Sequence, residues 1–281
     1  MNISTPREAT QVLKGTSFGE EADNYSIGRK PYPKSLFQGI KKLVGRKAHI
    51  LDMACGSGRV IIDLRAYVSP NVTGFDIDEK MLQKAKELAE KRNIKGITYI
   101  QGDARKIDAD TFKSAPFDAI TICSAIQWML KANALPAIRS VLKPKGKLII
   151  IGGRMGGKKE SSSGHHKEYR AIVSRILNRE ITKERADGEN ELDKQGFTLV
   201  KTMEFPGKEV FTFAEACADL KSHSFFAELS DEEKKKVSPA LEAKVKEMFT
   251  DGVNSTICKE KTQKCFVYEP TQPKAKQEEK E

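Results

Sequence analysis

The stretch His49–Val60, HILDMACGSGRV, decides how the rest of the chain is read. A short apolar run ends on an acid, Asp52, and the segment DMACGSGRV (52–60) then carries Gly56 and Gly58. Glycines let a backbone come close to a ligand, and a helix opening after them offers free N–H groups. A dinucleotide fingerprint needs a third glycine, and position 61 is Ile61. A triphosphate loop needs Gly-Lys-Ser or Gly-Lys-Thr, and here Arg59 and Val60 follow.

Outward from this turn, strands and helices alternate. HILDMA predicts a strand and GRVIIDLRAYV a helix with Val60, Ile61, Leu64 and Val68 inward. NVTGFDID is a second strand, and EKMLQKAKELAEKRNI a helix with Asp78 as its N-cap. ITYIQGDAR is a third strand. FDAITICSAIQWM is a fourth, almost wholly apolar as a central parallel strand should be. ANALPAIRSVLK is a helix and PKGKLIIIGG a fifth strand. Upstream, Leu36, Phe37, Ile40 and Leu43 form one helical stripe, started by Pro31 and Pro33. Downstream, RMGGKKESSSGHHKEYR reads as a mobile loop, followed by the helix EYRAIVSRILNREI. FTLVKTMEF and TQKCFVYEP are strands flanking the helices TFAEACADLKS and SDEEKKKVSPALEAKVKEMF. This rhythm predicts an α/β fold: a Rossmann-like, doubly wound, seven-stranded, mostly parallel sheet with an N-terminal helical cap and a helical lid inserted near the last strands.

Ligands in such sheets bind outside the carboxyl ends of the strands. The second strand ends at Asp76, 18 residues after Gly58. A carboxylate there suits a ribose diol, because it accepts two hydroxyl hydrogens. The alternative is a helix-capping acid. The third strand ends at Asp103-Ala104, where a turn residue is the alternative, and the fourth near Ser124, where a small residue is often packing alone. The set fits a ligand with a ribose and no pyrophosphate.

Composition bounds the rest. The chain has 281 residues, 38% hydrophobic and 31% charged, enough for one sizeable domain with an appended lid. MNISTPREATQ has no apolar core of a secretory signal, and no run reaches the length of a membrane span. Five irregularly spaced cysteines without a CxxC argue against a disulfide framework or a zinc knuckle, and no metal is expected. A soluble cytoplasmic protein, monomeric or homodimeric, is expected. The net charge of +10 is concentrated. Arg29–Lys47 holds seven basic residues and no acid, and Arg154–Arg185 holds nine against four acids. Such segments attract phosphate, nucleic acid or small anions, or serve only solubility. The expected organisation is a cap at 1–48, a cofactor-binding core at 49–153, a sheet remainder with substrate lid at 154–270 and a disordered tail at 271–281.

HILDMACGSG, VTGFDID, YIQGDAR, FDAITICSAIQWM and LKPKGKLIIIG, in this order, resemble the motifs of class I S-adenosylmethionine-dependent methyltransferases, over Ile50 to Gly152. The resemblance implies that Gly56 and Gly58 pass the methionine portion of that cofactor and that Asp52 orients the site near its amino group. It implies that Asp76 holds the ribose, Ile77 packs on the adenine, Asp103 and Ala104 meet the adenine edge, and Ser124 lies near the methionine. One departure is Ala54, where many members have glycine. A methyl group is tolerable there only if the backbone is not at positive φ.

FGEEADNYSIGRKPYP is similar to the opening of small-molecule methyltransferases of the trans-aconitate and menaquinone/sterol biosynthesis type, through Phe18, Ala22, Tyr25, Arg29, Tyr32 and Pro33. That resemblance implies that Tyr25 and Arg29 reach the cofactor site. Gln127 replaces a histidine of the subgroup, which leaves Tyr25, Arg29 and Gln127 as the catalytic candidates and no evident base. His165, His166 and His223 read as surface or core histidines. The expected reaction is methyl transfer to a small-molecule acceptor, with an anionic, O-linked and even carboxylate acceptor favoured. An RNA or protein substrate held by the basic segments is the alternative, although CSAI lacks the tetrad of exocyclic-amine enzymes acting on nucleic acid. A methyltransferase-fold binding protein without turnover is the third reading.

Overall fold

A computed structural model describes residues 27–152, 164–181 and 188–271. The strands are β1 (Ile50–Met53), β2 (Val72–Asp76), β3 (Ile97–Gln101), β4 (Phe117–Cys123), β5 (Leu142–Ile151), β6 (Phe197–Thr212) and β7 (Thr256–Pro270), of which β1 to β5 pair in parallel. They form one seven-stranded sheet in the order β3-β2-β1-β4-β5-β7-β6, with β7 antiparallel to both neighbours. Chain order reverses between β1 and β4, which opens a crevice at their carboxyl ends.

Alternation along the central strands builds two cores. Leu51, Met53, Phe117, Ile120, Ile122, Leu148 and Ile150 face one way, over α4 (Ile126–Lys131) and α5 (Leu135–Ser140). Ile50, Ala119, Ile149, Ile151 and Cys265 face the other way, under α1 (Lys34–Val44) and α2 (Arg59–Tyr67). Both faces being covered explains why these strands read as unbroken apolar runs. Helix α3 (Glu79–Lys91) is capped by Asp78, whose Oδ1 accepts from the N–H groups of Lys80 (2.9 Å) and Met81 (3.4 Å).

A third core lies in the lid. Tyr169 and Val173 of α6 (Gly164–Leu177), Ala216 and Leu220 of α8 (Phe213–Lys221), and Val237, Leu241 and Val245 of α10 (Asp231–Lys246) pack around Phe211 and Phe249. Two further short helices among the described residues are α7 (Gly188–Lys194) and α9 (Ser224–Ala227). The lid helices α8–α10 are inserted between β6 and β7, as expected from the sequence.

Several expectations change. The fourth strand stops at Cys123, and Ile126–Lys131 is helical rather than extended. The break is Ser124 at φ 54, which turns the chain out of the sheet. Strands β6 and β7 run far past their predicted lengths, in register from Phe197↔Pro270 to Thr212↔Thr256, because each supplies the other's hydrogen bonds. Helix α6 begins at Gly164, inside the stretch expected to be loop. Thr271, expected in a disordered tail, is tied by its N–H to Gly196 O (2.8 Å); residues 272–281 lie outside the described residues.

Gly58 starts α2 at φ 85, and a Cβ on it would sit 2.8 Å from Ala85 Cβ of α3. Gly58→Ala therefore combines left-handed strain of about 1–2 kcal/mol with overpacking of about 1–3 kcal/mol. Urea unfolding is expected to show a loss of at least about 2 kcal/mol.

Candidate active site at the carboxyl ends of β1 and β4

Asp52 is the third residue of a fully buried strand and stands opposite Thr121 on β4. Its side chain is 1% exposed, and Oδ1 accepts from Thr121 Oγ1 at 2.6 Å. Oδ2 is buried with no hydrogen-bond partner among the described residues. Burial pushes the Asp52 carboxyl up to about 7, against the Thr121 bond that holds it down. Such an unpaired buried oxygen costs about 1–3 kcal/mol. Asp52 lines a cavity together with Tyr32, Ser57, Cys55 and Cys123. The Ser57 hydroxyl, on a residue 5% exposed, is likewise buried without a partner among the described residues.

The turn above Asp52 consists of backbone in unusual conformations. Ala54, Gly56 and Gly58 all have positive φ, at 55, 54 and 85. The condition under which Ala54 would be unstrained is therefore not met: its methyl group sits on left-handed backbone. Beside Gly56 a Cβ would meet nothing within 4 Å, so this side of the turn is open. The turn is tied down from the second strand. Cys55 N–H bonds Phe75 O (3.1 Å), and Gly56 N–H bonds Asp76 Oδ2 (2.8 Å).

Asp76 is 8% exposed, and its other oxygen accepts from Asp78 N–H at 2.9 Å. Burial raises its carboxyl while these two backbone bonds oppose the rise. The carboxylate thus joins the glycine turn to the end of β2, and each oxygen retains a lone pair for a ligand. Ile77, 42% exposed, follows it at the crevice edge. Asp103 is clasped by Arg105, with Nε 2.9 Å from both oxygens and Nη2 2.5 Å from Oδ2, which holds its carboxyl low. Ala104 beside it is buried. Ser124 is exposed at the end of β4, and its carbonyl accepts from Gln127 Nε2 at 3.1 Å.

Asp52, Ala54 and Gly56 thus line one cavity. Gly58, Asp76, Ile77, Asp103, Ala104 and Ser124 lie at the ends of neighbouring strands or in the turn between them. Arg29 does not line the cavity; its guanidinium turns to the lid, with Nη2 3.2 Å from His223 Nδ1 and Nε 3.9 Å from Asp219 Oδ1. Gln127 does not line the cavity either; its amide turns back to the Ser124 carbonyl at the start of its own helix. Tyr25, Phe18 and Ala22 lie outside the described residues, as do the side chains of His165 and His166.

Tyr32, Ser57, Thr121 and Cys123 were not singled out as site residues by sequence reasoning. Tyr32 Oη and Cys123 Sγ, on two residues that line the cavity, are hydrogen-bonded at 2.8 Å. Burial pushes the Cys123 thiol up to about 11, although Tyr32 opposes this. One signal was available: Thr121 is a polar residue inside the apolar run FDAITIC.

Ala54→Gly relieves left-handed strain of about 1–2 kcal/mol and loses about 0.5–1 kcal/mol to backbone entropy. A net gain of up to about 1.5 kcal/mol in urea unfolding is expected, whereas Ala54→Val is expected to destabilise, because a β-branched residue fits left-handed backbone worst.

Residues 45–196 match the methyltransferase domain family. A demethylmenaquinone methyltransferase of Lactobacillus johnsonii is 35% identical over 122 residues, 42% of this chain and 48% of that protein. A malonyl-[acyl-carrier protein] O-methyltransferase of Erwinia pyrifoliae is 34% identical over 164 residues, 58% of each. The chain thus spans about half the length of the curated relatives it matches. Among solved structures, the [4+2]-cyclase SpnF shares the fold at a TM-score of 0.51 and 15% identity, covering 88% of this chain and 85% of that one. The glycine turn, the acids at the strand ends and this match place the chain in one family: it belongs to the methyltransferase domain family.

Proposed function

We propose that this chain transfers a methyl group from S-adenosylmethionine to a small-molecule acceptor. The observation that carries the reading is the buried Asp52 carboxylate: the residue lines the cavity under the glycine turn, and one of its oxygens has no hydrogen-bond partner among the described residues. An ammonium group satisfies such an oxygen, and the Ser57 hydroxyl beside it accepts or donates to the same amino-acid end. Gly56, with open space where a side chain would be, admits the backbone of the ligand. Asp76 keeps lone pairs for a ribose, Ile77 offers an apolar face to a base, and Asp103 and Ala104 bound the far edge. Within this reading Ser124 stands at the methionine end, and Tyr25 and Arg29 belong to the closing cap.

The sulfonium of the cofactor supplies an activated methyl group for in-line displacement by a nucleophile. The chain's own part is alignment and exclusion of water. Among the described residues lining the cavity, burial keeps the Cys55 and Cys123 thiols protonated, and the Tyr32 hydroxyl is engaged with Cys123. Gln127 carries no base. An acceptor that brings its own ionised nucleophile needs none, which favours a carboxylate or another O-linked anion. The names of the two relatives divide on the acceptor: demethylmenaquinone in one, a malonyl group carried on an acyl-carrier protein in the other.

Nucleic acid as the acceptor is disfavoured by where the charges sit. Lys30 pairs with Glu215 (2.6 Å), and Arg29 lies beside Asp219. Lys41, Lys42, Arg46 and Lys47 fall at the last turn of α1 and the entry to β1, the end of the sheet opposite the cavity. A cytoplasmic setting is part of the proposal; among the described residues no helix is long and apolar enough to cross a membrane.

Burial raises Asp52, so the stability carried by its proton is full below about pH 4 and lost as pH rises through about 7. Asp52→Asn is therefore expected to raise the stability of the ligand-free chain at pH 8 by about 1–3 kcal/mol while abolishing thermal stabilisation by S-adenosylhomocysteine. An unchanged ligand shift in the variant sinks the assignment. The acceptor class is tested by tritiated methyl transfer into a metabolite extract: label surviving ribonuclease and protease supports the reading, and label lost with either refutes it.

A further inference from the structure

The segment 27–33 crosses from the cavity to the lid and is fastened at both ends. At the cavity end is the Tyr32–Cys123 hydrogen bond. At the lid end, a Cβ on Gly28 would lie 2.1 Å from Asp219 N, so only glycine lets the backbones approach this closely. Lys30 pairs with Glu215 of α8, and Arg29 donates to His223 Nδ1. A guanidinium carries donors only, so Nδ1 must present its lone pair. The Arg29–His223 bond therefore exists only while the imidazole is neutral. Its remaining proton is then on Nε2, 3.9 Å from Asp219 Oδ2, and the ring stacks on Phe225 with centroids 6.2 Å apart.

We propose that neutral His223 is a positioning residue that holds the 27–33 arm against the lid, and that its protonation releases the arm from the mouth of the cavity. A proton on Nδ1 sets donor against donor and cation against cation. The groups facing the ring and its partner come from several elements. Arg29 belongs to the arm, Asp219 to α8 and Phe225 to α9. Around Asp219 stand Tyr169 of α6, Glu209 of β6, and Lys259 and Lys261 of β7. Arg29, Lys259 and Lys261 oppose a positive imidazole; Asp219 and Glu209 favour it and give the protonated ring an alternative partner. Because the bond belongs to the deprotonated form, the arm is held at high pH and freed as pH falls between 8 and 5, where imidazoles titrate.

The consequence for catalysis rests on the cofactor reading of the cavity, but the arm itself is measured without ligand. Hydrogen–deuterium exchange of the backbone amides of residues 28–30 and 32, corrected for intrinsic pH dependence, is compared at pH 5.5 and 7.5 in the full chain. The wild type is expected to exchange roughly fivefold or more faster at pH 5.5, the effect of losing one charge-assisted hydrogen bond. His223→Asn, whose amide oxygen accepts from Arg29 at either pH, is expected to stay slow throughout; His223→Phe is expected to be fast throughout. A wild type without pH dependence overturns the proposal, as does an Asn variant that keeps it. S-adenosylhomocysteine titrated into the same samples separates the two claims: a pH-dependent arm on a chain that binds none of it supports the latch and overturns the cofactor reading.

Discussion

Asp52 is held where a carboxylate is costly. It sits in the middle of the sheet, 1% exposed, with one oxygen bonded to Thr121 and the other unsatisfied. Nothing in the core needs a charge there; an apolar or amide side chain would pack at lower cost. The surrounding structure tolerates the strain because it is braced from several directions. Thr121 is set opposite by the parallel register of β1 and β4, and the turn is anchored to β2 through Cys55 and Gly56. Three residues of that turn are on left-handed backbone, one of them an alanine. Strain and an unsatisfied charge at one crevice are what a preorganised site for a cationic, polar ligand requires.

The lid extends this logic. It has its own core around Phe211 and Phe249, so it is built as a unit rather than as a loop. Its connection to the cavity is the 27–33 arm, polar at the lid end and aromatic at the cavity end. A unit with its own core, separate from the two cores of the sheet, can move at modest cost. The fold alone does not set the chemistry beneath it, since a [4+2]-cyclase has the same architecture.

The sequence made the sheet legible because β1, β2, β4 and β5 are covered on both faces and read as apolar runs between helices of period 3.6. It failed where one residue's backbone decides the path. SAIQWM continues the apolar run of β4, and only Ser124 at φ 54 separates strand from helix. Pro206 and Gly207 interrupted the reading of β6, yet pairing with Thr262 and Lys261 of β7 carries the strand through. The crevice was legible where it is local: Gly56 and Gly58 lie in the turn after β1, and Asp76 and Asp103 at the ends of β2 and β3, where the sequence put them. It was not legible where it depends on contacts 69 and 91 residues apart, Asp52 with Thr121 and Tyr32 with Cys123. Ala54 could be flagged as a departure from glycine, but its φ is a property of the folded turn.

The central claim, that the Asp52 carboxylate awaits an ammonium, is most directly tested by calorimetric titration of S-adenosylhomocysteine at pH 7 in two buffers of different ionisation enthalpy. Burial places the ligand-free carboxyl at about 7. Capture of a cation drives it to the ionised form, so about half a proton should be released per ligand bound. Asp52→Asn should remove that release. Binding without proton release, or the same release in the variant, would contradict the account.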